Sequence, residues 1–490
     1  MFTQQNIKDT ILKLEQKYPV DTWEVNGIDV WPYIRIKLYI HMLVLMNEKL
    51  LTEDKKAYEK DKKGNRFITY FRKIIFLLEA QLNLIFFYSK LKQKKLIFYG
   101  SHIHRVFQNG KYFNRFYDSM IDFHNIQNDV YTIEYQKIQK PNYNEKAIIP
   151  LNKYLDYYKF VKKIIYKLKQ QKPKVSLELY NGFYAELSEY NLKFENLRLT
   201  QSELIKWSSK VNISKGFFEK LYKKIKPQKV IFLGYYGLDD LYAALIVANN
   251  FKIKTIDFQH GPQTNIHLAF SSWNKIPKNG FNTMPTEFWN WDEASKNNID
   301  SWASKSTDVS AKVVGQPYLA YWLQKKQKKE SKDNYIIYSL QTYPFTIKDM
   351  LTPKIVSLIK NLEYQWVLRL HPRNNLNINE LESFIKANKI ENKVIIQDAY
   401  TTPLPESITS SLLHITNYSG CLIEAYQLGV PTILINEVGN EMFSQYVDNK
   451  LAYYLNQNER DFELKVEDLI NDLKTIDFKS SYLQVFNPLS

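Results

Sequence analysis

The chain has 490 residues, 44% of them hydrophobic and 24% charged, with a net charge of +16 and a single cysteine, Cys421. That length exceeds one ordinary core, so two domains are expected, and the composition is that of a globular protein. The lone cysteine excludes internal disulfides and a cysteine-based zinc site; no run of eighteen apolar residues offers a membrane span, and no signal segment opens the chain, so a cytoplasmic protein is expected.

In chain order, the pattern predicts an amphipathic helix around Ile7 to Tyr18, a hairpin or turn over Trp23 to Pro32, and a helix from Tyr33 to Leu51. Phe67 to Lys92 reads as an apolar helix with basic ends, packed on the core or touching a membrane. Leu96 to Tyr99 and Val130 to Ile133 read as buried strands around the polar stretch Phe107 to Asp129. Lys153 to Ile225 is helical in pattern. Val230 to Leu233, the turn Gly234-Tyr235-Tyr236-Gly237, a helix Leu238 to Asn249 and a strand Ile253 to Phe258 make a βαβ unit. Pro262 to Asn290 is irregular and aromatic-rich, long enough for a functional loop. Val313 to Pro317 reads as a last short strand, and Gln324 to Asp333 (QKKQKKESKD) as a linker.

Beyond the linker the alternation resumes. Strands are expected at Tyr335 to Ser339, Trp366 to Leu370 and Lys393 to Gln397, and helices at Ile347 to Asn361, Ile378 to Asn388 and Phe462 to Leu473. Between them, Leu412 to Asn436 (LLHITNYSGCLIEAYQLGVPTILIN) predicts strand, turn, helix and strand in one βαβ unit. Charge divides along the same line: Met1 to Asn334 holds 54 basic and 33 acidic residues, net +21, and Tyr335 to Ser490 holds 13 and 18, net −5. The basic part would suit an anionic membrane surface or anionic substrate, although a Lys-rich chain also arises from AT-rich coding alone.

The turn in that unit is the chemically informative part. Ser419 is a good N-cap, Gly420 lets a ligand approach the first helical N–H groups, and Glu424 lies one turn on, where a carboxylate can accept from sugar hydroxyls. Thr416 opens the turn. Ser339 and Gln341 end the domain's first strand, and His371-Pro372-Arg373 follows another, with Arg373 a forked donor suited to phosphate. In the first domain, Gln259-His260-Gly261 closes a strand, and Asp239 and Asp240 begin a helix; His260 or Asp239 could serve as general base. Each has an ordinary alternative: Asp as N-cap, His371 as a strand cap, Arg373 in a surface ion pair. His102-x-His104 has no nearby carboxylate or cysteine in sequence to complete a metal site, and no Asp-x-Asp, P-loop or GxGxxG pattern occurs.

Ser419-Gly420, Glu424-Ala425 and Gly429-Val430-Pro431 resemble the donor-site segment of GT-B glycosyltransferases, of non-hydrolysing UDP-sugar epimerases and of CDP-polyol phosphotransferases. With His371-Pro372, the order resembles bacterial capsule transferases using CMP- or CDP-activated donors, and Gln259-His260-Gly261 resembles a segment of capsule and lipopolysaccharide transferases. The resemblance implies an α/β fold: two Rossmann-like domains facing across a cleft, of GT-B type, the N-terminal one with added helices. Expected boundaries are 1–323 for the acceptor domain, 324–334 for the linker, 335–475 for the nucleotide-sugar domain and 476–490 for a tail packing back on the first. The implied activity is transfer of a sugar from a nucleotide-sugar to a glycan or lipid-linked acceptor in bacterial surface polysaccharide synthesis, without metal or other cofactor. Asp239 and His260 would be catalytic; Ser339, Gln341, His371, Arg373, Thr416, Ser419, Gly420 and Glu424 would bind the donor. The alternatives are a CDP-polyol phosphotransferase, an epimerase, and a non-catalytic nucleic-acid or membrane-binding protein. Because the basic excess is confined to one part, a nucleic-acid partner is not expected.

Overall fold

Short apolar runs bounded by turns pair, in this chain, into two parallel sheets. The computed structural model describes residues 3–46, 66–166, 172–190, 197–325, 335–342, 345–372, 376–399 and 401–473. Most of the expected linker, the tail 476–490 and Arg373 lie outside these residues.

The first sheet comprises β1 (Leu96–Ser101), β2 (Val130–Tyr135), β3 (Ile148–Pro150), β4 (Lys229–Phe232), β5 (Lys254–Phe258), β6 (Glu287–Asn290) and β7 (Ser310–Val313). Its order is β7-β6-β5-β4-β1-β2-β3, parallel throughout. The second comprises β8 (Tyr335–Ser339), β9 (Gln365–Arg369), β10 (Val394–Gln397), β11 (Leu413–Thr416), β12 (Thr432–Leu434) and β13 (Tyr453–Tyr454), in the order β10-β9-β8-β11-β12-β13. It too is parallel. The two-sheet α/β class expected from the alternation is therefore present. Strands buried on both faces explain why these segments read as unbroken apolar runs rather than alternating ones.

Winding is the same in both sheets. The chain starts near the centre, adds two strands on one side, then returns to the other side of the first strand. The order reverses between β1 and β4 and between β8 and β11, and at such a switch point the strands' carboxyl ends open a crevice.

The compact units do not follow the charged run. One is Met1–Arg105 with His124–Val313; the other is Val106–Phe123 with Val314–Ser490. The sequence boundary after residue 323 thus sits ten residues beyond the structural one. The polar stretch Phe107 to Asp129, to which the pattern assigns no element, overlaps a hairpin (Arg105–Gln108, Lys111–Asn114) and holds a helix (Tyr117–His124). Phe113 of that hairpin packs in the second unit against Tyr318 and Tyr321 of the helix Pro317–Lys325, with ring centroids 6.4 and 5.1 Å away. The helical region 153–225 is broken into helices Leu151–Tyr166, Tyr180–Glu189 and Gln201–Ile225. Ile347 to Asn361 splits as well, because Thr352 caps a new helix with Pro353 at its first position. The last short strand lies at Ser310–Val313, ahead of its expected place. No described helix is long and apolar enough to cross a membrane.

The N-terminal helices Gln4–Lys17 and Trp31–Met46 are fastened through buried charge. Arg35 donates from Nε to Glu15 Oε1 at 2.7 Å, with both side chains fully buried. Arg35 Nη2 also donates to the carbonyls of Ser271 (3.1 Å) and Ser272 (2.9 Å), and its guanidinium lies 4.1 Å from the Trp273 ring centroid. Trp31 Nε1 and the Asn274 amide both donate to Glu15, each at 2.9 Å. The irregular loop expected at 262–290 is thus pinned at its middle. Replacing Arg35 with Met is expected to cost about 3–5 kcal/mol by stranding Glu15, whereas Arg35→Met with Glu15→Leu should cost less than either single change. Urea unfolding of the three variants measures this, and additive losses would refute the coupling.

Candidate functional site

In the second unit the switch point gathers five of the residues singled out from sequence. Ser339 ends β8 and Gln341 follows it; Thr416 ends β11, and Ser419-Gly420 turn into the helix Cys421–Gln427. Ser339, Gln341 and Thr416 are buried. Thr416 Oγ1 donates to the Ser339 carbonyl (3.1 Å) and accepts from Gln341 Nε2 (3.2 Å) and the Ser419 amide (3.2 Å). One donor and two acceptor positions exhaust a hydroxyl, so Thr416 shapes the turn rather than holding a ligand. Ser339 Oγ lies 3.0 Å from His414 Nε2, whose Nδ1 lies 3.0 Å from Thr432 Oγ1. Burial drives the His414 pKa down to about 3, so the ring is neutral and serves as a hydrogen-bond bridge across β8, β11 and β12.

Two expectations change here. Ser419 is not the N-cap: Gly420 occupies that position, and Ser419 Oγ accepts from the Cys421 amide at 3.3 Å. The helix has only seven residues, so its dipole is a modest source of anion attraction. Glu424 is not on an open face but buried, and accepts from Gln316 Nε2 at 3.2 Å. Burial raises its pKa, while Arg115, the Gln316 hydrogen bond and Arg369 pull it back. Arg115 and Gln316 come from the two segments that the structure adds to this unit, which is why sequence reading missed them. The Asn109-Gly110 turn between Arg105–Gln108 and Lys111–Asn114, with both residues at positive φ, was the available hairpin signal.

Arg369, the last residue of β9, is also buried; it donates to Gln397 Oε1 (2.5 Å), Ser407 Oγ (3.2 Å) and the Thr402 carbonyl (2.9 Å). His371 follows it, half-buried at the same carboxyl edge. Burial and then Glu424 push the Cys421 thiol up, away from activation.

The first unit has its own switch point. Gly234 begins the turn after β4 at φ +76, and a side chain there would meet His260 Cε1 at 3.0 Å. Asp257 Oδ2 accepts from the Tyr235 amide at 2.8 Å. Burial pushes the Asp257 carboxyl well above the usual range, against the pull of the Tyr235 and Gly234 amides. His260 packs edge-on to His104, ring centroids 5.3 Å apart. The preceding Gln259 is fully buried; it donates to Ser295 Oγ and the Gly261 carbonyl, both at 3.1 Å, and accepts from the Trp291 amide at 2.7 Å. In Gln-His-Gly, the glutamine therefore anchors the segment that presents the histidine.

Asp239 has different surroundings. It is the first residue of the helix Asp239–Asn250, whose N-cap is Leu238, and it does not cap with its own side chain. Its pKa is raised by desolvation, against Lys37 and with Asp240 adding to the rise. Asp240 is bound to Lys159 (2.6 Å) and Ser214 (2.7 Å). Asp239 thus lies among helix side chains, while His260 lies at the glycine turn. Among the described residues, no group of three His, Cys, Asp or Glu side chains is arranged to hold a metal ion.

No family model and no curated protein sequence matches this chain. Among solved structures it is similar to UDP-GlcNAc 2-epimerase from Neisseria meningitidis bound to UDP-GlcNAc, at 14% identity and a TM-score of 0.49, over 81% of this chain and 96% of that one. It is also similar to Methanocaldococcus jannaschii UDP-GlcNAc 2-epimerase in complex with UDP-GlcNAc and UDP, at 15% identity and 0.39, over 80% and 96%. S. aureus TarM is similar over 55% of this chain and 54% of that one, at 15% identity and 0.34. At TM-scores below 0.5, none of these likenesses bears on the chemistry of the site.

Two outcomes test the second switch point. A Cβ at Gly439 would lie 2.1 Å from the Asn417 carbonyl oxygen, so Gly439→Ala must displace the turn backbone. Its melting temperature is expected to fall by roughly 2–4 °C per kcal/mol lost, and an unchanged value would mean the turn yields freely. The second outcome concerns pH. His414 has a folded pKa of about 3 against 6.5 unfolded. The unfolded ring therefore binds the extra proton, and stability present above pH 6.5 is lost as pH falls toward 3. Unfolding free energies from urea titrations should decline below neutrality by up to ~1.4 kcal/mol per pH unit, with a smaller slope in His414→Gln.

Proposed function

We propose that the chain is a nucleotide-sugar-dependent glycosyltransferase of GT-B type, with the nucleotide phosphate at the β8/β11 switch point. The observation that carries this reading is the junction of Ser339, Gln341, Thr416 and Ser419 through one hydroxyl at that point. Such a network preforms a turn before any ligand arrives, which lowers the ordering cost of binding. In this reading Glu424, buried and hydrogen-bonded to Gln316, keeps a carboxylate oxygen for ribose or sugar hydroxyls, and Arg115 and Arg369 favour its charged form. Phe345 and Tyr418, ring centroids 5.5 Å apart, offer an apolar wall for a base beside the same turn.

In the proposed reaction an acceptor hydroxyl of a glycan or lipid-linked glycan gives up its proton to a general base. The oxygen forms a bond to the anomeric carbon as that carbon's bond to the nucleotide phosphate breaks, and the phosphate leaves with the bonding pair. Of the two candidates, His260 is the base in this reading, because the Gly234 turn and Gln259 hold it at the carboxyl edge of the first sheet. No metal is invoked; backbone amides and basic side chains would stabilise the leaving phosphate.

Calorimetry with CMP, CDP, UDP, GDP and a polynucleotide tests the reading. Saturable binding of one mononucleotide is expected, while salt-sensitive polymer binding alone would replace the enzyme with a nucleic-acid-binding protein. Glu424→Gln keeps the side chain's shape in its buried setting. It should weaken that nucleotide by about 1.5–3 kcal/mol and leave the melting temperature nearly unchanged. Unchanged affinity with reduced stability would make Glu424 structural.

A further inference from the structure

The helix Arg66–Lys90 leaves a large part of its apolar surface uncovered. Fourteen large apolar side chains are exposed among the described residues, and six of them lie on this one helix, too many for scattered surface residues. Ile75, Leu78, Leu82, Ile85 and Phe86 are 51–67% exposed. Their spacing of three, four, three and one places them on a single stripe. Ala80, Leu84 and Phe87 take the opposite face and are buried against the unit's core. The helix is therefore amphipathic in an unusual sense: both faces are apolar, and only one has a partner among the described residues.

The rim of the stripe is basic. Lys90 Nζ lies 3.8 Å from the Phe86 ring centroid, so its ammonium extends along the exposed face. On the helix Gln201–Ile225 packed alongside, Lys220 lies 5.9 Å from the Tyr88 ring, and the helix Arg66–Lys90 itself carries Arg66, Arg72, Lys73 and Lys90. Glu79 is the one carboxylate in the described part of the helix. A two-fold dimer through this stripe would set the same cations against themselves. A surface of lipid phosphates would neutralise them while the acyl boundary takes up the apolar side chains.

We propose that this stripe docks on an anionic lipid bilayer, with Leu78, Leu82 and Ile85 inserted at the headgroup boundary and the flanking lysines on lipid phosphates. The helix lies in the plane of the surface rather than spanning it. Docking of this kind would hold the first unit where a lipid-linked acceptor is presented, but it does not depend on the nucleotide-sugar reading.

The test is sedimentation of the full chain with vesicles of phosphatidylcholine, with and without phosphatidylglycerol. Binding is expected only with phosphatidylglycerol and should weaken as salt is raised, since screening acts within about 8 Å at physiological ionic strength. Leu78→Gln/Leu82→Gln/Ile85→Gln should lose more than about tenfold in vesicle affinity, and Leu82→Gln alone a smaller share. Neither should lose thermal stability, because these side chains are exposed. Vesicle binding equal to wild type in the triple variant would overturn the proposal. So would a wild-type dimer in sedimentation velocity that the triple variant converts to monomer, because the stripe would then belong to a second copy.

Discussion

Strands in a parallel sheet all end on the same edge, and a chain that winds outward in two directions must leave a gap at that edge where it reverses. Both units of this protein obey that constraint, and each candidate site follows from it. Between β8 and β11 the gap receives Ser339, Gln341 and the turn after Thr416; between β1 and β4 it receives His104 and the Gly234 turn, with His260 after neighbouring β5. Residues far apart in sequence become neighbours because the sheet order, not the chain order, sets which carboxyl ends adjoin.

The two gaps are built differently. The second unit closes its turn with neutral hydrogen bonds, in which a buried, uncharged His414 joins Ser339 to Thr432. Such a network costs little desolvation once each member has a partner, and it leaves a preformed shape. The first unit instead places ionisable groups near its gap: Asp257 under the glycine turn, and the Arg105–Glu134 pair with both side chains fully buried. Buried charge is expensive unless paired. Together with the amides that Asp257 and Gln259 bind, that pair marks a region where hydrogen bonding and charge, rather than apolar packing alone, hold the backbone.

The same economy explains the N-terminal helices. Glu15 and Arg35 bind each other and also the backbone of the loop around Ser271 to Asn274, so one ion pair replaces the regular hydrogen bonds that an irregular segment lacks. Tertiary partners make a long loop definite here, where local sequence offered only an irregular aromatic stretch.

Local pattern alone was enough for the α/β class, for most strands of both sheets, and for the turn at Thr416 to Gly420. Apolar runs, glycines and caps act over a few residues, and a strand's carboxyl end is implied once the strand is recognised. Local pattern also located the Arg66–Lys90 helix, though not which of its two apolar faces is covered. Tertiary structure alone decided what surrounds each side chain. Glu424 looked like an open helical carboxylate but lies buried under Gln316, because a segment from before the linker packs into the second unit. Hairpin and helix at Val106–Phe123 join that unit through the Phe113 cluster with Tyr318 and Tyr321, a partnership across some two hundred residues that no local period encodes. Burial, and with it the direction of every pKa shift, is a sum over neighbours in space; sequence spacing predicts those neighbours only within one element.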